Sequence, residues 1–121
     1  MKPRLAVVSL WAEDLPATIH FYRDVIGLSL LPHHAGQPHF DLHGIFLTLL
    51  KGKPCPAQDA EPRRFPVVAF AVDNLDAALA RLRTHDVDLP WGVERDGHSR
   101  WVMFHDPAGN LIELVEFAGQ D

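Results

Sequence analysis

The second half of this 121-residue chain repeats the first. Val8-Ser9-Leu10-Trp11-Ala12-Glu13-Asp14-Leu15-Pro16-Ala17 aligns with Val68-Ala69-Phe70-Ala71-Val72-Asp73-Asn74-Leu75-Asp76-Ala77. Later, Gly44-Ile45-Phe46-Leu47-Thr48-Leu49-Leu50 aligns with Gly109-Asn110-Leu111-Ile112-Glu113-Leu114-Val115. A repeat of this kind fixes the architecture before any single residue is weighed, because each copy is one supersecondary unit. Equivalent positions in two copies can also converge on one site. Here these are Val7 and Val67 near the repeat starts, and Thr48 and Glu113 near the ends. Only Glu113 among them can carry charge.

Each copy reads as a strand, a helix, then two or three strands. Leu5 to Ala12 is a short apolar run expected to form a strand buried on both faces. Asp14 suits a helix N-cap, with Pro16 in the first turn, where a missing N–H is harmless. Ile19, Tyr22, Val25 and Ile26 recur at helical spacing, and Gly27 supplies a left-handed end. Leu28 to Leu31 begins a second strand, and Gln37 to Leu50 reads as a hairpin turning near His43-Gly44.

The second copy follows the same plan. Val67 to Val72 is the strand, Asn74 the cap, and Leu75, Leu79 and Leu82 the buried stripe. With no glycine at its end, this helix needs His85 or Asp86 to take the cap geometry. The second copy is longer between helix and final hairpin, which places the extra residues in Leu89 to Arg100. Asp106-Pro107-Ala108-Gly109-Asn110 has the residues of a tight turn.

The chain therefore reads as one domain over residues 1–121: module one at 1–50, a linker at 51–66 and module two at 67–121. The linker holds prolines 54, 56, 62 and 66 and the single cysteine, Cys55. A lone cysteine permits no intrachain disulfide, which suits a reducing compartment. The net charge of −5 argues against nucleic acid or an anionic membrane surface as partner. The basic head Met1–Arg4 and short apolar run meet Glu13-Asp14 without a small-residue cleavage site, so the expected location is cytoplasmic.

Two stretches carry a family resemblance: Asp14-Leu15 with Phe21-Tyr22-Arg23-Asp24-Val25-Ile26-Gly27-Leu28, and Val72-Asp73-Asn74-Leu75-Asp76-Ala77-Ala78 with Asp106-Pro107-Ala108-Gly109-Asn110-Leu111-Ile112-Glu113-Leu114. In this order and duplicated frame the chain resembles the glyoxalase / bleomycin-resistance / extradiol-dioxygenase superfamily, the vicinal oxygen chelate proteins. The resemblance implies an α+β fold of two βαβββ modules whose strands form a half-open β-barrel cleft. It also implies a homodimer. Metal-dependent members place four ligands in the cleft, at positions matching Val7, Thr48, Val67 and Glu113. Valine offers no donor and a threonine hydroxyl is a poor one, whereas catalytic zinc takes three protein ligands. Neither a metal nor another cofactor is therefore expected.

Strand parity nominates the remaining candidates. Glu113 alternates with Ile112 and Leu114, so it faces away from the helix layer, where it suits a general base or a polar anchor. Trp11 shares parity with Val7 and Ser9, and Phe46 shares parity with Thr48. If Phe40 and Leu42 face the helix layer, His39 and Asp41 face the cavity. Trp91 falls in the module-two insertion and Trp101 opens the next strand. Trp11, His39, Phe46, Thr48, Trp91, Trp101 and Glu113 thus form the candidate ligand-binding set, although tryptophans also suit a dimer interface. Asp73, Asp76 and Arg81 to Arg83 read as a solvated helix face.

Two functions follow. One is a metal-free small-molecule-binding protein taking an apolar or aromatic ligand in the inter-module cleft. The other is a lyase, isomerase or dioxygenase using Glu113 as base or ligand, with relocated metal ligands such as His39 or His105.

Overall fold

In the computed structural model the chain divides into two compact units, residues 1–55 and 56–121. The structure describes residues 5–32, 37–54 and 67–118. Cys55, most of the linker, and His33 and His34 lie outside the described residues.

The first unit runs β1 (Val7–Ala12), α1 (Leu15–His20), β2 (Ser29–Leu31), β3 (His39–Asp41) and β4 (Phe46–Lys51), with sheet order β1-β4-β3-β2. Its first and last strands pair in parallel, Val7 against Phe46 through Ala12 against Lys51. The other pairs are antiparallel. Asp14 caps α1 as expected, its carboxylate accepting from the Ala17 N–H at 3.0 Å, while the Thr18 hydroxyl donates to the Asp14 carbonyl.

Beyond His20 the helix does not continue as a plain α-helix. Phe21–Ile26 winds as a π-helix and ends at Gly27, whose φ of 91° is left-handed. The wider turn lets the sequence neighbours Phe21 and Tyr22 both be buried. Their rings meet edge to face at 5.4 Å, and Tyr22 reaches Phe40 at 5.9 Å. Phe40, Leu47 and Leu49 complete this core.

Strand β1 departs from the expectation of burial on both faces. Val8 and Leu10 are half-buried, but Val7, Ser9 and Trp11 are exposed. The helix packs on β4 and covers one face of the sheet only, so the strand alternates.

The second unit repeats the plan: β5 (Val68–Ala71), α2 (Leu75–Thr84), β6 (Val93–Arg95), β7 (Ser99–His105) and β8 (Leu111–Phe117), in sheet order β5-β8-β7-β6. Strands β5 and β8 are parallel, and the rest antiparallel. Leu75, Leu79 and Leu82 of α2 are buried, with Val102, Phe104, Ile112 and Leu114 filling the same core. Asp86 takes the left-handed conformation at the helix end, φ 57°, as the missing glycine demands. In the 106–110 turn the buried Asp106 carboxylate accepts from the N–H groups of Ala108 and Asn110 and from the Asn110 amide, each at 2.9 Å.

Asp76 is not simply solvated. Arg100 on β7 donates to it at 3.1 and 3.2 Å, and also to Glu116 on β8 at 2.8 Å. Glu116 in turn accepts from the Leu75 N–H at 2.9 Å, at the start of α2. The solvated-face reading used helical spacing alone and had no view of the arginine on the neighbouring strand.

Candidate functional site

Each unit has one sheet face that its helix leaves uncovered, and the candidate residues sort onto these two faces. In module one the register aligns Val7 with Phe46, Ser9 with Thr48 and Trp11 with Leu50, while His39 lies beside Thr48 and Asp41 beside Phe46. Leu47 and Leu49, of opposite parity, are fully buried. Val7, Trp11 and Phe46 are 47, 48 and 40% exposed, unusual for large apolar side chains on a sheet. The structure thus brings Trp11, His39, Phe46 and Thr48 onto one face.

A polar row crosses this apolar face. The buried Thr48 hydroxyl and the Ser9 hydroxyl are hydrogen-bonded at 3.0 Å. His39 Nδ1 lies 2.7 Å from the Gln37 carbonyl oxygen. A carbonyl only accepts, so Nδ1 carries a proton, and Nε2 of the neutral ring is left as an acceptor. Trp11 is positioned by Gly52: a Cβ at Gly52 would stand 2.8 Å from the indole Cε3, so the ring lies directly on that backbone. The Gly52 N–H donates to the Ala12 carbonyl, tying the end of β4 beside the end of β1.

In module two the uncovered face carries Glu113 and Val115 from β8, Trp101, Met103 and His105 from β7, and Glu94 from β6. Glu113 pairs with Met103, and Glu94 with Trp101. Burial, followed by the charge of Glu94, lifts the Glu113 carboxyl above its ordinary value. One oxygen of Glu94, Oε1, is shut off from solvent and has no hydrogen-bond partner among the described residues. Trp91 meets His105 at a 50° tilt with ring centroids 5.7 Å apart and is half-exposed, so it lies beside this face rather than on a strand of it. Among the described residues, no three His, Cys, Asp or Glu side chains gather where they could hold a metal ion.

Sequence reasoning missed Ser9 as a hydroxyl partner, Gly52 as the seat of Trp11, and Glu94. The last had a readable signal. Asp96-Gly97 is a hairpin-turn dipeptide, and the Asp96 carboxylate accepts from the N–H groups of His98 and Ser99 at 2.8 Å. A two-residue turn at Asp96-Gly97 would set Glu94 across from Ser99; the loop is wider, and the observed register sets Glu94 across from Trp101, two positions on and on the same face.

Known proteins frame this geometry. Residues 4–114 match the Glyoxalase/Bleomycin resistance protein/Dioxygenase superfamily. The chain is 30% identical to the metallothiol transferase FosB of Lysinibacillus sphaericus (strain C3-41) over 114 residues, covering 90% of this chain and 79% of FosB. Among solved structures, a lactoylglutathione lyase from Agrobacterium tumefaciens superposes with a TM-score of 0.73 at 26% identity, over 95% of this chain and 94% of that one. TnmS3, an antibiotic binding protein from Streptomyces sp. CB03234, gives a TM-score of 0.78 at 23% identity, over 97 and 98% of the two chains, a likeness of fold alone. The repeated βαβββ plan and the match along nearly the whole chain agree: this protein belongs to the glyoxalase/bleomycin resistance protein/dioxygenase superfamily.

Proposed function

We propose that this chain is a small-molecule-binding member of its superfamily with a degenerate metal site, and that it takes an apolar or aromatic ligand on the strand faces its helices leave uncovered. The observation that carries this reading is the donor chemistry at the four positions the family uses for metal. Val7 and Val67 have no donor atom, and the Thr48 hydroxyl is engaged with Ser9. Glu113 alone brings a carboxylate, and the charge that acts on it, Glu94, is another carboxylate. This set does not fit a divalent ion, which needs several nitrogen or oxygen donors. The metal-dependent chemistry named in "metallothiol transferase" is therefore not carried over to this chain.

What replaces the donors favours apolar recognition. Trp11, Phe46 and Val7 offer exposed apolar area beside the Ser9–Thr48 hydroxyl pair and the His39 acceptor. Large apolar surface with a few placed polar groups is the usual composition of a small-molecule site. The name of TnmS3, an antibiotic binding protein, lies on the same side. One observation favours an enzymatic alternative: the raised pKa of the Glu113 carboxyl suits a general base acting without metal.

Metal content and ligand quenching test the reading together. Protein purified without chelator should contain no stoichiometric divalent ion. Aromatic compounds should quench the fluorescence of a Trp91→Phe/Trp101→Phe variant, in which Trp11 is the remaining tryptophan, and Trp11→Ala should weaken their binding. A stoichiometric metal, or quenching that does not depend on Trp11, overturns the reading. Turnover of a bound compound that is lost in Glu113→Gln would establish the alternative.

A further inference from the structure

The uncovered face of module two carries, beside Glu113, a second carboxyl, Glu94, that no metal position and no sequence motif accounts for. Glu94 on β6 lies beside Trp101 on β7, and Glu113 on β8 lies beside Met103, so the two carboxyl groups flank β7 from either side, one pleat repeat apart. Glu94 Oε1 is buried without a hydrogen-bond partner among the described residues. A carboxylate oxygen withdrawn from water and given no donor is costly to leave so, and native structures nearly always supply the donor.

The two arginines on the neighbouring strands do not supply it. Arg95 and Arg100 pair with each other across β6 and β7, one position on from Glu94 and Trp101, which directs them to the opposite face. Arg100 is already held there by Glu116 and Asp76. Neither Glu94 nor Glu113 makes a salt bridge among the described residues. Trp101, half-buried, shares this face on the intervening strand, and the face of an indole attracts a cation.

Building on the small-molecule reading above, we propose that Glu94 is a specificity-determining residue, which together with Glu113 and Trp101 selects ligands that carry a cationic nitrogen beside their apolar body. The orphaned oxygen is the observation that points to a ligand: an ammonium or amidinium group brings several N–H donors and a compensating charge at once. An anionic ligand would meet two carboxylates, with only the His105 ring, which Trp91 contacts, to offset them among the described residues of that face. A neutral one would leave like charges facing each other.

Calorimetric titration of the full chain with a matched probe series tests this: naphthylmethylamine, naphthylmethanol and naphthoic acid, which differ in their polar group. The amine should bind about tenfold tighter than the alcohol, the size of one charge-assisted hydrogen bond, and the acid weakest. Added salt should shrink the lead of the amine. Glu94→Gln should abolish most of that lead, with circular dichroism reporting that the variant is folded. Equal binding of amine and alcohol overturns this proposal and leaves the small-molecule reading standing. So does a lead that persists in Glu94→Gln or is indifferent to salt in the parent. Failure of all three probes to bind overturns both.

Discussion

Gly52 shows how much a single missing carbon decides. The indole of Trp11 occupies the space a Cβ would take at that position, so the exposed tryptophan is seated on backbone rather than left free. Gly52→Ala forces the ring to move, at a cost of about 1–2 kcal/mol as for other overpacked sites. We expect a lower unfolding midpoint, a shifted emission spectrum in a chain whose other tryptophans are phenylalanine, and weaker aromatic binding. An unchanged spectrum would mean that Trp11 does not rest there.

Glu113 gives a second residue-scale prediction, with its sign set by linkage. Burial and Glu94 raise its folded-state pKa, so the charged form is penalised in the folded protein. That penalty is absent at acid pH, where the group is protonated in both states, and develops as pH rises through the unfolded and then the folded value. Glu113→Gln should therefore melt higher than the parent at neutral pH and equal to it in acid. A variant less stable at neutral pH would contradict the assignment.

At the scale of elements, α2 is fastened from two directions. Asn74 accepts from the Ala77 N–H at 3.0 Å, and Glu116 accepts from the Leu75 N–H while gripping Arg100. These bonds lower the Glu116 pKa below its ordinary value, so its stabilisation is present above the unfolded pKa and lost as pH falls through the folded one. Glu116→Gln should accordingly be less stable than the parent at neutral pH, with the gap closing in acid, as thermal unfolding across pH would show.

Most elements were legible because they obey short-range rules. Asp14 and Asn74 cap, Gly27 and Asp86 turn left-handed, and parity assigns Phe46 and Thr48 against Leu47 and Leu49. The π-helical stretch was hidden because Val25 and Ile26 fit either a 3.6-residue spacing or a wider one. Asp76 was misjudged because it depends on a strand partner far away in sequence, Arg100. A one-dimensional pattern carries no register for such partners.

On the molecular scale the duplication extends to topology, since both sheets place the module's first and last strands in parallel contact at corresponding positions. It does not extend to chemistry. The face in module one is aromatic with hydroxyl groups, and the one in module two is acidic. Each sheet has two edge strands, β1 and β2 or β5 and β6, with backbone groups open to pairing. Together with the exposed Val7, Phe46 and Phe117, these edges lead us to expect a homodimer. Sedimentation showing a monomer across micromolar concentrations would exclude it.

The sheet order also sets a timetable. Strand β8 is the last strand of module two along the chain, yet it lies inside the sheet, between β5 and β7. Module one has all four of its strands once Lys51 has been made, whereas module two lacks an interior strand until Phe117. During synthesis from the N-terminus the first unit can thus settle early, while β5, α2, β6 and β7 wait with apolar surface uncovered. The strand they wait for is the one that carries Glu113 and Glu116, so the nascent chain acquires the Glu113 carboxyl and the clasp on α2 in the same final step.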